Sequence, residues 1–126
     1  YLNFPGRLTP WGSLPGRHDL LFAGQLTGVE GYTESAASGL LSALNLDRLL
    51  SGKEPKLPPA TTMLGGLYRY LRDADPKHFQ PMNSNWGLVD PLPKRIRDKR
   101  KKREALAERA KDDFETWLRT DGSGSG

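Results

Sequence analysis

Apolar residues fall into three helix-like blocks separated by turn-rich stretches. Residues 1–19 show no period. Pro5-Gly6, Thr9-Pro10 and Pro15-Gly16 are turn signals, so this stretch is expected to be extended and loop-like. Leu20-Leu21-Phe22-Ala23-Gly24 follows. Periodicity alone fits a piece of helix here; the shortness of the run and its closing glycine favour a short buried strand. Gly24, Gly28 and Gly31 then punctuate a tight loop, GQLTGVEG. From about Thr33 to Leu50 the pattern is helical, with Ala36, Ala37, Leu40, Leu41 and Leu44 as the expected apolar face. Thr33 suits the N-cap and Glu34 the positive end of the dipole, and Gly52 suits the C-terminal stop.

Lys53–Pro59 is a Pro-rich linker. Thr61 or Thr62 caps a second helix, Met63 to Ala74, whose face is Leu64, Leu67, Tyr68 and Leu71. Gly65-Gly66 weakens its first turn by roughly 1 kcal/mol per glycine relative to alanine. A close approach of backbone or ligand explains the pair, and so does simple tolerance. Residues 75–93 return to loop, since three prolines follow His78. A last helix is expected from Lys94 to Arg119, roughly 39 Å long at 1.5 Å per residue. Leu106, Ala110, Phe114, Trp117 and Leu118 stripe its second half. Its first half has only Ile96 as an apolar residue, so one half is expected to pack and the other to project. Residues 120–126, ending Gly-Ser-Gly-Ser-Gly, read as a flexible tail.

Composition narrows the fold class. The 126 residues include 20 Leu but only two Val and one Ile, which argues against a sandwich or barrel. The expected class is mostly helix and loop with one or two short strands. No apolar run approaches the roughly 20 residues of a membrane helix. There is no Cys, hence no disulfide framework, thiolate metal site or Cys nucleophile. His18 and His78 lack partners at ligand spacing, so no metal site is expected. Tyr1 opens the chain without the basic and apolar regions of a secretory leader. The two ends together suggest a piece of a longer protein.

Charge changes the picture more. The formal net charge is +4, yet residues 94–103, KRIRDKRKKR, hold eight of the 19 basic residues and one of the 15 acidic ones. That is a local +7, and it leaves the rest of the chain at −3. Lys94, Arg95, Arg97, Lys99, Arg100, Lys101, Lys102 and Arg103 point to phosphate neutralisation, and arginine adds bidentate contacts. A solvated helix face is the plainer alternative. A membrane surface fits poorly, because the basic half has no apolar face.

Two further segments carry possible chemistry. Glycines and a helix start let backbone N–H groups meet an anion or an electron-rich atom, such as a phosphate or a flavin ring carbonyl. An ordinary strand-to-helix turn also accounts for the spacing, which is neither a Walker loop nor a GxGxxG fingerprint. Phe79-Gln80-Pro81-Met82-Asn83-Ser84-Asn85-Trp86 mixes rings and amides that suit stacking on a planar heterocycle; a packed surface loop is the alternative. No paired carboxylates stand out, and no catalytic residue is assigned.

LLFAGQLTGVEGYTESAASGLLSALN, then TTMLGGL, then FQPMNSNWGL resembles the bacterial folate- and FAD-dependent tRNA uracil-5-methyltransferases. The resemblance runs from about Tyr1 to Leu118 and looks like the C-terminal part of such a protein. Glucose-inhibited-division-type flavoproteins share the AGQ…G…GY part of the first motif but not the FQPMN loop. Thr33, Ser84 and Trp86 depart from the pattern, where an aliphatic residue, Ala and Phe are usual.

The resemblance implies an α/β parent with a Rossmann-like FAD domain. It implies that residues 1–52 supply the last strand and helix of that domain. Residues 53–93 then form the linker, short helix and active-site-type loop, and 94–119 the basic helix. It places Gly24, Gln25, Gly28, Val29, Glu30, Gly31, Tyr32, Glu34 and Ser35 at the flavin. It places Phe79, Gln80, Asn83 and Asn85, with the basic residues above, at the RNA substrate. The implied activity is transfer of a one-carbon unit from methylenetetrahydrofolate to uridine C5 in the tRNA T-loop, with NAD(P)H resupplying electrons, in the cytoplasm. The N-terminal fingerprint and catalytic cysteines of the family have no counterpart here. The missing N-terminal part is therefore an expected partner, and the chain alone is expected to be inactive. A non-catalytic RNA-binding remnant is the alternative.

Overall fold

The computed structural model describes residues 2–125, with side-chain surroundings through Arg119. A one-turn helix α1 (Phe4–Arg7) leads into a hairpin of β1 (Ser13–Leu14) and β2 (Arg17–Leu21). A 3-10 turn over Gly24–Thr27 precedes helix α2 (Tyr32–Leu50). Helix α3 (Met63–Asp73) follows, then 3-10 turns at Pro76–His78 and Trp86–Leu88, then helix α4 (Lys99–Ser125). The expectation of helix and loop with short strands is met. The reading of 120–126 as a flexible tail falls on residues whose side chains lie outside the description.

The strand differs from expectation. It is centred earlier, at Arg17–Leu21, and pairs antiparallel with β1 through Leu14↔Arg17 and Ser13↔Leu21, with an irregularity between them. Pro15-Gly16 makes the turn, and Gly16 takes the positive φ of +82° that suits the second turn position. Leu20 and Leu21 are only half-buried, and Arg17, His18 and Asp19 face water. A strand needs a hydrogen-bonding neighbour, and among the described strands the only one is this short arm.

Helix α3 is the hub. Leu67, Tyr68 and Leu71 are buried at 2% exposure or less and join Phe4, Val29, Leu41 and Phe79 in one core. Phe4 meets the Tyr68 ring edge-on at 6.2 Å. Thr62 caps the helix: its Oγ1 accepts from Gly65 N–H at 3.0 Å and donates to the Pro59 carbonyl at 2.7 Å. The glycine pair proves to be a close backbone approach. A Cβ on Gly65 would lie 2.6 Å from the Pro58 carbonyl oxygen, and one on Gly66 would lie 2.5 Å from that of Leu88.

Helix α2 turns an unexpected face inward. Ser38, Ser42 and Asn45 are buried, as is Leu41, whereas Leu40 is 75% exposed and Ala36 and Leu44 also face water. The polar residues serve neighbouring extended backbone. Gly24 N–H donates to Ser38 Oγ at 3.0 Å, and Ser42 Oγ donates to the Phe22 carbonyl at 3.4 Å. Asn45 both donates to and accepts from the Lys56 backbone, at 3.0 and 2.7 Å. Buried backbone groups need partners, and these side chains supply them where no sheet does. Thr33 does not cap α2; Gly31 holds that position, at φ +96°, with no side-chain cap.

Helix α4 starts five residues later than expected, after the irregular 94–98. It is tied down in its second half. Lys56 Nζ donates to the Trp117 carbonyl at 2.8 Å and lies 4.2 Å from the Trp117 ring centroid. Thr61 donates to Asp113 at 2.5 Å, Arg109 donates to the carbonyls of Asp90 and Pro91, and Leu106 is buried. Among the described residues no helix is long and apolar enough to cross a membrane.

Candidate functional site

The glycine loop and the 79–86 loop, about 50 residues apart in sequence, form one surface. Val29 and Met82 pair as an isolated parallel bridge: Met82 N–H donates to the Gly28 carbonyl at 2.8 Å, and Glu30 N–H donates to that of Met82 at 2.9 Å. The loop can run this close because Gly28 adopts φ +95° and carries no Cβ. A Cβ there would fall 2.5 Å from the Phe79 ring.

A second tie lies in the first turn of α2. The Glu34 carboxylate accepts from Ser84 N–H at 3.2 Å and from Ser84 Oγ–H at 3.1 Å. Its own backbone N–H, then these two donors, hold the Glu34 carboxyl below the usual glutamate range. Tyr70 fixes the far end of the loop: its hydroxyl donates to the Gln80 carbonyl at 2.7 Å and its ring stacks on Phe79 with centroids 6.0 Å apart.

This placement sorts the residues singled out in the sequence. Val29 is fully buried and Phe79 is 6% exposed, both in the core. Their side chains pack beneath the loops, where an apolar group gains by leaving water. Asn85 is engaged with its own loop: its amide donates to the Asn83 carbonyl at 3.2 Å and its Oδ1 accepts from Gly87 N–H at 2.9 Å. Gln25, Glu30, Gly31, Tyr32, Gln80 and Asn83 are exposed, and Gly24, Glu34 and Ser35 are half-buried. Gln25, Leu26, Glu30 and Pro81 line a hollow of about 400 Å³ where the two loops meet. Leu26 is 49% and Tyr32 98% exposed, a costly arrangement for large apolar surfaces with nothing covering them.

Ser84, Met82, Tyr70 and Leu26 belong to this surface although the sequence does not single them out as site residues. Met82 and Ser84 stand in the sequence only as members of the 79–86 segment, and Ser84 also as a departure from the family pattern. Nothing local shows that it faces Glu34.

The basic run stands apart from this surface. It leaves the core after Val89, where Asp90 N–H donates to the Ala60 carbonyl at 3.1 Å. All eight of its basic residues are exposed. His18 is exposed, and His78 Nδ1 lies 2.8 Å from Asp75 Oδ2. Among the described residues no three His, Asp or Glu side chains converge as metal ligands.

The family model of glucose inhibited division protein A matches residues 7–54, which covers the hairpin, the glycine loop and α2 but not the 79–86 loop. Longer matches come from methylenetetrahydrofolate–tRNA-(uracil-5-)-methyltransferases named TrmFO. That of Brevibacillus brevis is 54% identical over 117 residues, 93% of this chain. The Enterococcus faecalis protein is 54% identical over 112 residues, and that of Anoxybacillus flavithermus 48% over 119. Over nearly its whole length the chain is similar to one segment of these methyltransferases. It spans 26–28% of the length of these three relatives. The resemblance read from the three motifs therefore holds along nearly the whole chain, including the FQPMN loop.

Proposed function

We infer that this chain is the C-terminal part of a folate- and FAD-dependent methyltransferase that forms 5-methyluridine in the T-loop of tRNA. Residues 1–52 belong to its FAD domain, and cytoplasmic tRNA processing is its setting. The observation that carries this reading is the Val29–Met82 bridge. It joins the loop assigned to the flavin with the loop assigned to the substrate in one surface.

The residues fit one wall of a flavin-sized site. Gln25 offers an amide to ring carbonyls, Leu26 and Tyr32 offer uncovered apolar surface, and the start of α2 carries no side-chain cap. Glu30 and Glu34 put negative charge nearby, so this wall suits the ring system better than the cofactor's phosphates. A bound flavin would supply the electrons that reduce the transferred carbon to a methyl group. Methylenetetrahydrofolate donates that carbon, and NAD(P)H renews the electrons. The chain's own contribution is to orient the ring through Gln25 and the loop backbone, to exclude water with Leu26 and Tyr32, and to hold RNA with residues 94–103. No general acid, base or nucleophile is assigned to it, and the remaining polypeptide completes the site.

The test is a chimera in which this chain replaces the matching segment of the Brevibacillus brevis relative. Uracil C5-methylation of tRNA with all three cofactors is expected. A chimera that folds and binds FAD yet leaves tRNA unmethylated would overturn the reading.

The exposure of all eight basic residues favours one second reading, a non-catalytic RNA-binding module. If about five phosphates are neutralised, log K for tRNA falls with log salt at a slope of about −3.5 to −4.5. Binding by the isolated chain together with an inactive chimera would favour this module.

A further inference from the structure

The basic run is built of two parts that are not equivalent. Residues 94–98 form an irregular arm, and α4 begins at Lys99. Asp98, the one acid of the run, makes the junction. Its Oδ1 accepts from the N–H groups of Arg100 and Lys101 at 2.9 and 3.1 Å, and its carbonyl accepts from Lys102 N–H at 2.9 Å. The N–H groups of Arg100, Lys101 and Lys102 are thus engaged within the protein, and a ligand in reach of them meets side chains.

A cleft of about 570 Å³ lies between arm and helix. Lys94, Arg95 and Arg97 line it from the arm, and Lys99 and Lys102 from the helix; no carboxylate lines it. Leu92 and Ile96, both half-buried, add apolar lining. Arg100, Lys101 and Arg103 are equally exposed but lie outside it. Helical geometry explains the split in part. Lys102 is four residues from the buried Leu106 and Lys99 seven, so both share its helix face, and Lys101 lies on the opposite side; Arg103, three residues from Leu106, shares that face but does not line the cleft. Arg100 is paired with Glu104 at 3.3 Å.

Five like charges around one volume repel each other until an anion enters. An inorganic anion answers the charge and leaves the apolar lining unused. A duplex offers phosphates but keeps its bases stacked inside. We propose that this cleft binds one unpaired nucleotide of RNA, with its phosphates against the five cations and its nucleoside against Leu92 and Ile96. The volume is in the usual range for small-ligand pockets, roughly 300–1,000 Å³. The proposal rests on the RNA reading above and narrows it to five of the eight basic residues and to a single-stranded or looped site.

The experiment is calorimetric titration of the 126-residue chain with 5′-phosphorylated uridine dinucleotide, with uridine, with tripolyphosphate and with whole tRNA. The dinucleotide is expected to bind about tenfold or more tighter than uridine or tripolyphosphate. Lys99→Gln with Lys102→Gln should weaken it about tenfold, and Arg100→Gln with Lys101→Gln less than about threefold. Ile96→Ser should weaken the dinucleotide but not tripolyphosphate. All of these positions lie outside the core, and an unchanged circular dichroism spectrum checks each variant. Equal losses from the inner and outer pairs, or tripolyphosphate matching the dinucleotide, would overturn the cleft while tRNA binding left the broader reading standing. Failure to bind tRNA as well would overturn both.

Discussion

Gly66 lies in the first turn of α3, where helix propensity favours alanine by roughly 1 kcal/mol. Its backbone nevertheless faces the Leu88 carbonyl, so an added methyl meets oxygen at 2.5 Å. Overpacking of this kind costs about 1–3 kcal/mol or more, which outweighs the propensity gain. Gly66→Ala is therefore expected to lower the urea midpoint. Gly39, exposed on α2, is the contrast, since an added Cβ there meets nothing within 4 Å. Gly39→Ala should raise the midpoint, by about 0.5–1 kcal/mol of stability. Glu34 gives a prediction of another kind. Its carboxyl is lowered in the folded chain, so its stabilising contribution is full above the ordinary glutamate value near 4.5 and fades as pH falls through the lowered one. The melting temperatures of the parent and Glu34→Gln should differ at pH 7 and converge in acid. A constant gap would mean that the Ser84 contact does not stabilise the fold.

At the scale of elements, the existence of α2 and α3 was legible, and so was the inward face of α3, but that of α2 was not. Helices α2 and α3 begin and end within one residue of the expected bounds, because helical period, capping Thr62 and terminal Gly52 are local signals. The inward face of α2 is set by Ser38, Ser42 and Asn45, which satisfy backbone groups of segments that no periodicity places beside them. Neighbouring leucines test this. Leu41→Ala, at a position 5% exposed, should cost about 2–5 kcal/mol, and Leu40→Ala, at 75%, no more than about 0.5 kcal/mol. Denaturant melts of the two variants would decide it, and similar losses would show that the expected apolar face is the packed one. The strand near residue 20 differs from expectation for a related reason: four apolar residues in a row cannot tell how much of a strand lies buried.

For the whole molecule the question is whether α4 belongs to the same cooperative unit as α3. Leu106 is buried, and Lys56, Thr61, Asp90 and Pro91 bind the helix from Arg109 onward. A single transition, coincident by far-ultraviolet circular dichroism and tryptophan fluorescence, is expected for the parent chain. Leu106→Asp buries an unpaired charge, so it should release α4 and separate the two transitions. Coincident transitions in that variant would mean that the helix is held by its polar contacts alone.

By itself, the sequence determined helices α2 and α3, a cap at Thr61 or Thr62, the concentration of charge at 94–103 and the family resemblance. Each of these rests on residues close together in the chain or on matched order. Only the tertiary structure decided that Val29 bridges Met82, that Glu34 meets Ser84, that Phe79 supports the loop from within, and that five of eight cations surround one cleft. These depend on contacts between distant segments, where close backbone approach at Gly28 and Gly66 and the need to satisfy buried backbone groups outweigh local propensity.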